Sequence, residues 1–188
     1  GCSENEVDDP EVAEKYPIVL TTGGGFMPFH HSEHFQMPGI RYLYPDPYFT
    51  INPVLAEKLG IAEGDWCWIE TRRGRIKMRA NVSPELDPRV VFAPRGWWFP
   101  EREATDDLHG AFDSNCNVLF ENNGPYDPAV GTDNYGGLCK VYKADDGAPK
   151  NICMNSEDLK IFLPLTADQL AADDQQNGVT QVTKGGAK

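Results

Sequence analysis

The chain has 188 residues, enough for one domain with a real core, and 40% of them are hydrophobic, as in a globular protein. Its formal net charge of −12 argues against generic binding to nucleic acid or to an anionic membrane, either of which needs a basic face. No apolar run approaches the length of a membrane span, and Gly1-Cys2-Ser3-Glu4 has neither the basic nor the apolar region of a signal peptide. The chain does not begin with Met, and it is expected to be a piece of a longer protein. The five cysteines, Cys2, Cys67, Cys116, Cys139 and Cys153, are widely spaced and contain no CxxC, so reduced, buried thiols are expected rather than a disulfide network or a zinc ribbon.

Residues 1–15 are acidic and polar and read as a flexible flank. Tyr16–Thr22 reads as a buried strand. The segment from Gly23 to Tyr48 shows no sustained period, and its aromatics point to an ordered, functional loop. Phe49–Ile51 is a short strand. Asn52-Pro53 then starts a helix through Leu59, with Asn52 as N-cap and Gly60 as a left-handed C-cap. Trp66–Thr71 and Arg75–Val82 form a hairpin around Arg73-Gly74. In the second strand Ile76, Met78, Ala80 and Val82 alternate with Lys77, Arg79 and Asn81, which predicts one buried and one polar face. Arg72, Arg73 and Arg75 read as a solvated hairpin tip, locally basic in an acidic chain. Arg89–Ala93 is another strand, followed by Gly96-Trp-Trp-Phe-Pro100, whose aromatics suit a core or an interface. Residues 101–137 are largely irregular, and Leu138–Tyr142 is the last clear strand. Short strands with evenly placed turns and a single clear helix predict a mainly β fold closed into a barrel, with a polar tail over 167–188.

The stretch Thr21-Thr-Gly-Gly-Gly-Phe-Met-Pro-Phe-His-His-Ser-Glu-His34 carries the densest chemistry. His30, His31, Glu33 and His34 are good metal ligands. Yet neighbours such as His30 and His31 face opposite ways on a strand, and Pro28 with the glycines disfavours a helix, so the ligands have no regular conformation in which to converge. No tightly bound zinc or iron is expected. The glycines after a strand allow close backbone approach and an anion nest, although they fit neither GxGxxG nor a Walker A loop. From the residues alone a metal site, a phosphate grip and a plain turn all stay open. Ser114-Asn-Cys-Asn117 is equally readable as a turn rich in Asx bonds.

Taken in order, further motifs narrow the choice: His31-Ser32-Glu33, then INPVLAEKLGIAEGDWCWIETRRGRIKMRANV, RVVFAPRGWWFPE, SNCNVLF and GGLCKVYK. This series resembles the C-terminal molybdopterin-dinucleotide-binding domain of the dimethyl-sulfoxide-reductase family of molybdenum and tungsten oxidoreductases, in its acetylene-hydratase-like branch. The resemblance covers roughly Tyr16 to Lys143, and the whole domain is expected over 16–166. It implies a six-stranded double-psi β-barrel with short helices and long loops. It also implies binding of the guanine-dinucleotide arms of a bis-molybdopterin cofactor carrying Mo or W, in a bacterial enzyme whose other domains hold the metal ligand. By this likeness Thr22, Gly23, Gly24 and Gly25 approach a pyrophosphate or guanine. His31, Ser32 and Glu33 lie beside pterin and phosphates, Asn115 and Asn117 meet the pterin, and Tyr135 and Lys140 touch a dinucleotide. The chain departs from the pattern at Gly24, where many relatives carry Arg, and at Phe120, where Thr is common. The implied partners are the remaining domains of the same enzyme and an iron–sulfur electron-transfer subunit, with neither nucleic acid nor direct membrane insertion. The chain alone is expected to lack the cofactor and to catalyse nothing. The alternative is a stand-alone β-barrel that binds metal or a protein partner.

Overall fold

A computed structural model describes residues 9–24, 29–120 and 136–147, with only the backbone described at residues 38 and 42. Expectations for residues 1–8 and 148–188, for Gly25 and for Tyr135 fall outside the described residues. Six strands, β1 (Ile18–Gly23), β2 (Tyr48–Ile51), β3 (Trp66–Glu70), β4 (Arg75–Val82), β5 (Val90–Pro94) and β6 (Gly136–Lys143), close into a barrel in the order β1-β5-β2-β4-β3-β6. The β1–β5 and β2–β4 pairs are parallel and the other four are antiparallel. Parallel neighbours need crossover connections, so the chain passes from β1 across β5 to reach β2, and from β4 across β2 to reach β5. This is the six-stranded double-psi barrel that the resemblance implies.

The period-two pattern explains the wall. Ile76, Met78 and Ala80 of β4 are fully buried, as are Cys67 and Ile69 of β3, Phe49 and Ile51 of β2, and Val91 and Ala93 of β5. Closure of the sheet leaves no unpaired edge. One detail of β4 departs from its pattern. Lys77, expected on the polar face, is only 4% exposed. Residues Asp113 and Ser114 lie along it: the Lys77 amide donates to the Asp113 carbonyl at 2.8 Å, and the Ser114 hydroxyl donates to the Lys77 carbonyl at 2.7 Å. The ammonium sits 4.6 Å from the Trp68 ring centroid and 2.9 Å from Asp146.

The helices are short. Helix α3 (Pro53–Leu59) forms as its caps predict: the Asn52 carboxamide accepts from the Val54 amide at 2.9 Å, and Gly60 adopts φ 67°. Helix α1 (Pro10–Lys15), which buries none of its residues, lies in the flank read as loose. Helix α2 (Pro38–Leu43) lies in the segment read as irregular, and Met37 at its N-terminus offers no capping side chain. A four-residue turn, α4 (Asp107–Gly110), and a 3-10 turn, Cys116–Leu119, interrupt the long β5–β6 connection.

The register sets where the loops go. β1 and β5 run parallel and end together, with Gly23 opposite Pro94, while β6 begins beside them, with Gly136 opposite Thr21. β3 is antiparallel to β6 and ends at Glu70. The connections after β1, β3 and β5 therefore all leave from one end of the barrel.

Cys67, Cys116 and Cys139 are buried free thiols, as expected of widely spaced cysteines without pairing motifs. Burial pushes the Cys67 and Cys116 thiols up to about 12 and raises Cys139 as well. At pH 8 all three are thus protonated, and the thiol is a poor nucleophile. Iodoacetamide at pH 8 is expected to spare them in the folded chain and to label them all in urea. Peptide mapping that finds native-state labelling at any of the three would contradict this packing.

Candidate functional site

At the loop-bearing end, Thr22 and Gly23 close β1 and Gly24 follows. A Cβ on Gly23 would lie 3.2 Å from the Phe92 ring, which leaves little room for a side chain. At Gly24 a Cβ would meet nothing within 4 Å. Gly24, just beyond the strand end, is exposed.

The histidine loop is a polar tip between two apolar anchors. Phe29 and Phe35 are 6% and 0% exposed, their ring centroids are 4.3 Å apart, and they lie 6.0 and 4.6 Å from the buried Trp97 ring. Burying two phenylalanines is worth several kcal/mol, about 1.5–3 each, and it holds up a tip whose His30, His31, Ser32 and Glu33 face solvent. The Glu33 amide donates to the His30 carbonyl at 3.0 Å. His31 and His34 adopt φ 57° and 73°, a region that costs an L-residue roughly 1–2 kcal/mol. His30 Nδ1 lies 3.6 Å from Glu33, but both are exposed, and such a pair contributes little.

Asn115 and Asn117 arrive from the other long connection. The Asn115 carboxamide oxygen accepts from the Asn117 amide at 3.0 Å, so Asn115 caps the 3-10 turn while Asn117 is exposed. This turn is held on both sides. Cys116 Sγ donates to the Ala93 and Pro94 carbonyls at 3.3 and 3.2 Å, and the Thr71 hydroxyl donates to the Leu119 carbonyl at 2.8 Å. A Cβ on Gly74 would come within 2.9 Å of the Val118 carbonyl oxygen. The glycine turn at the β1 end, Asn117 and the Arg72-Arg73 turn are thus gathered at one end, where Arg95 also follows β5. Lys140 sits beside the end of β3, opposite Glu70. It lies on the outer wall of β6 with its ammonium 2.9 Å from Glu70, and it is 5.4 Å from the Tyr142 ring. The carboxylate holds the Lys140 pKa above its ordinary value.

Sequence reasoning missed the internal frame of this end. Arg41 of α2 is fully buried, and its Nη2 donates to Glu101 at 2.8 Å. Its Nη1 donates to the Tyr44 carbonyl at 3.1 Å and also to that of Pro45, and its guanidinium stacks 4.7 Å from the Trp97 ring. Burial lowers the Arg41 pKa, with Glu101 acting against it. An arginine in a run read as loop gives no sign of such burial.

The donor set suits one kind of ligand. Backbone amides of a glycine turn, imidazoles, a hydroxyl, a carboxamide and nearby guanidinium groups bind phosphate oxygens and heterocycle edges. Among the described residues no three His, Cys, Asp or Glu side chains are grouped to hold a metal ion. Donors of these types are the kind that meet a polyanionic dinucleotide.

Comparison with known proteins agrees. The model for the molydopterin dinucleotide binding domain matches residues 18–140. The chain belongs to that family. It is 37% identical over 149 residues to a dopamine dehydroxylase of Eggerthella lenta, across 79% of this chain and 14% of that protein. It is 33% identical over 150 residues to an acetylene hydratase of Syntrophotalea acetylenica, across 74% of this chain and 20% of the relative. The solved acetylene hydratase from Pelobacter acetylenicus superposes with a TM-score of 0.70 at 30% identity, covering 76% of this chain and 20% of that one. The chain thus spans a fifth or less of these relatives.

Proposed function

We propose that this chain is the C-terminal, cofactor-binding part of a larger molybdenum or tungsten oxidoreductase of the acetylene-hydratase-like branch. Its loop-bearing end would hold the guanine-dinucleotide arms of a bis-molybdopterin cofactor. The observation that carries this reading is the convergence, from distant parts of the sequence, of the turn after β1 and the Asn117 turn at one end of the barrel. Thr22, Gly23, Gly24 and, by resemblance, Gly25 offer close backbone approach to a pyrophosphate. His31 and Ser32 donate to phosphate or pterin oxygens, and Asn115 and Asn117 offer donors to the pterin. Glu33 can only accept when ionised, so it suits the N–H groups of guanine or pterin rather than phosphate. Tyr135, outside the described residues, is assigned a dinucleotide contact by the resemblance alone. Lys140 would have to leave Glu70 to reach the same ligand, and its part is the weakest of the set.

When bound, the pterin-held metal supplies the reactive centre, while this chain's residues bind and orient the dinucleotide. Substrate choice belongs to the rest of the enzyme. Two relatives are a dehydroxylase and a hydratase, and chemistry of that kind is the reading for the whole enzyme; an iron–sulfur subunit as electron partner rests on the resemblance alone. In the full-length enzyme His31→Ala is expected to weaken cofactor binding roughly ten- to a hundredfold, the value of about 1.5–3 kcal/mol for a hydrogen bond to a charged phosphate, and Asn117→Ala, which loses a bond to the neutral pterin, roughly two- to tenfold. The check is metal and pterin content per protein, with circular dichroism to show an intact fold. Full cofactor content and activity in both variants would reject the site.

A further inference from the structure

The exposed tip at His30–Glu33 poses a mechanical problem. His31 sits at φ 57° with its ring 4.8 Å from that of the equally exposed His30. A strained, solvent-facing residue keeps its shape only if something outside it holds the chain. The neighbouring Trp-rich loop provides that hold. Trp98 Nε1 donates to the Ser32 carbonyl at 2.7 Å, across 66 residues of sequence. Gly96, at φ 88°, lies so close that a Cβ there would be 2.5 Å from the Ser32 hydroxyl and 3.5 Å from the His31 carbonyl carbon. The two tryptophans divide the work. Trp97 is fully buried beneath Phe29 and Phe35, whereas Trp98 is half-buried and turns its ring edge-on to Phe35 at 6.1 Å and to His109 at 5.6 Å.

The support behind Trp98 is itself rigid. Asp107, Leu108, His109 and Gly110 all have positive φ, 46°, 55°, 59° and 66°. Such a left-handed turn persists because it is held from outside. The Phe99 amide donates to the His109 carbonyl at 2.8 Å, His109 Nδ1 lies against the Arg102 carbonyl, and Arg102 binds Asp106 at 2.8 Å and also Asp113.

The geometry points to Trp98 as a positioning residue: its indole N–H, with the close backbone of Gly96, holds the His31-Ser32-Glu33 tip in the shape that meets the dinucleotide. The inference rests on the reading of that tip as a cofactor contact. Trp98 touches no ligand itself and acts through Ser32.

The test uses the full-length, cofactor-loaded enzyme carrying Trp98→Phe, which keeps an aromatic ring, though a smaller one, and removes the indole N–H. Two quantities are read: amide exchange in the peptide over 30–34 against that over β4 (75–82), and the rate of cofactor loss in sub-denaturing urea. One neutral hydrogen bond lost corresponds to roughly a two- to tenfold change. The expected result is that much faster exchange at 30–34, unchanged exchange at 75–82, and cofactor loss faster by a similar factor. Faster exchange at 30–34 with unaltered cofactor retention would uphold the clamp and overturn the tip as a cofactor contact. Unchanged exchange at 30–34 would overturn the clamp, as would equal acceleration in both peptides, which marks general destabilisation. Gly96→Ala presses a methyl onto Ser32 from the other side and gives the same readouts if Trp98→Phe does not fold.

Discussion

Ile76→Asp is expected to leave the 188-residue chain without a folded barrel at ordinary temperature. Ile76 is fully buried, pairs with Ile69 across the β3–β4 hairpin, and belongs to the core cluster that also holds Met78 and Cys67. An aspartate there loses the burial of an isoleucine side chain, about 1.5–3 kcal/mol. It also places a carboxyl group among apolar side chains, which adds at least several kcal/mol whether it stays ionised or takes up a proton. The total, more than about 4 kcal/mol, is most of the stability of a typical domain. Near-ultraviolet circular dichroism and urea unfolding should show loss of the cooperative transition. Ile76→Val, which removes one methylene, should cost only about 0.5–1.5 kcal/mol and keep it. A cooperative, native-like transition in Ile76→Asp would mean that β4 does not face the core as described.

Arg41→Met is expected to be the next most damaging change. It leaves Glu101, whose side chain is only 11% exposed, without its cation, and strands the Tyr44 and Pro45 carbonyls that the guanidinium served. Removing one partner of a buried pair costs about 3–5 kcal/mol, mostly through the charge left behind. The same reasoning gives the sign of the double variant. Arg41→Met with Glu101→Leu removes both charges and should recover much of the loss, since a hydrophobic replacement of a buried pair is often neutral. Arg41→Lys should fall between, because an ammonium lacks the planar fork that serves one carboxylate and two carbonyls together. Urea midpoints of the native chain, the two single variants Arg41→Met and Glu101→Leu, their double and Arg41→Lys check this. A double variant as unstable as the sum of its parts would show that Arg41 matters through shape and not charge.

The legible parts of the fold were those with local signals. The alternation in β4 needs only its own eight residues, and α3 announces itself through Asn52, Pro53 and Gly60. What escaped depends on residues far along the chain. Helix α2 has six residues and no capping side chain, so nothing local marks it. Lys77 alternates like a surface residue, and it is covered by Asp113 and Ser114 along its backbone and by Trp68 and Asp146 at its ammonium. Gly96 reads as an ordinary turn glycine until Ser32 is seen against it. The site was less legible still. Spacing left the histidine loop open among metal, phosphate and turn, and motif resemblance supplied the ligand. The structure then placed Asn117 beside the β1 end, held by Cys116 at Ala93 and Pro94, and set Lys140 on the wall.

The parallel pairing of β1 with β5 has a consequence for the order in which this end is built. Val19 meets Val90 and Gly23 meets Pro94, partners separated by about 70 residues of chain. Contacts of such sequence separation form late, because the entropy of closing the intervening segment is lost before any of them compensates. Helix α3 and the β3–β4 hairpin lie wholly inside that segment and can form early. The strand end that carries the glycine turn waits for β5, and β6, which covers the other side of β1, comes later still in the chain. On the proposed site, a half-synthesised or half-folded chain therefore offers no place for a dinucleotide to settle. Loading a cofactor here becomes a test of completed folding, and a chain with a slow or faulty β5 would fail first as an apoprotein, before it failed as a fold.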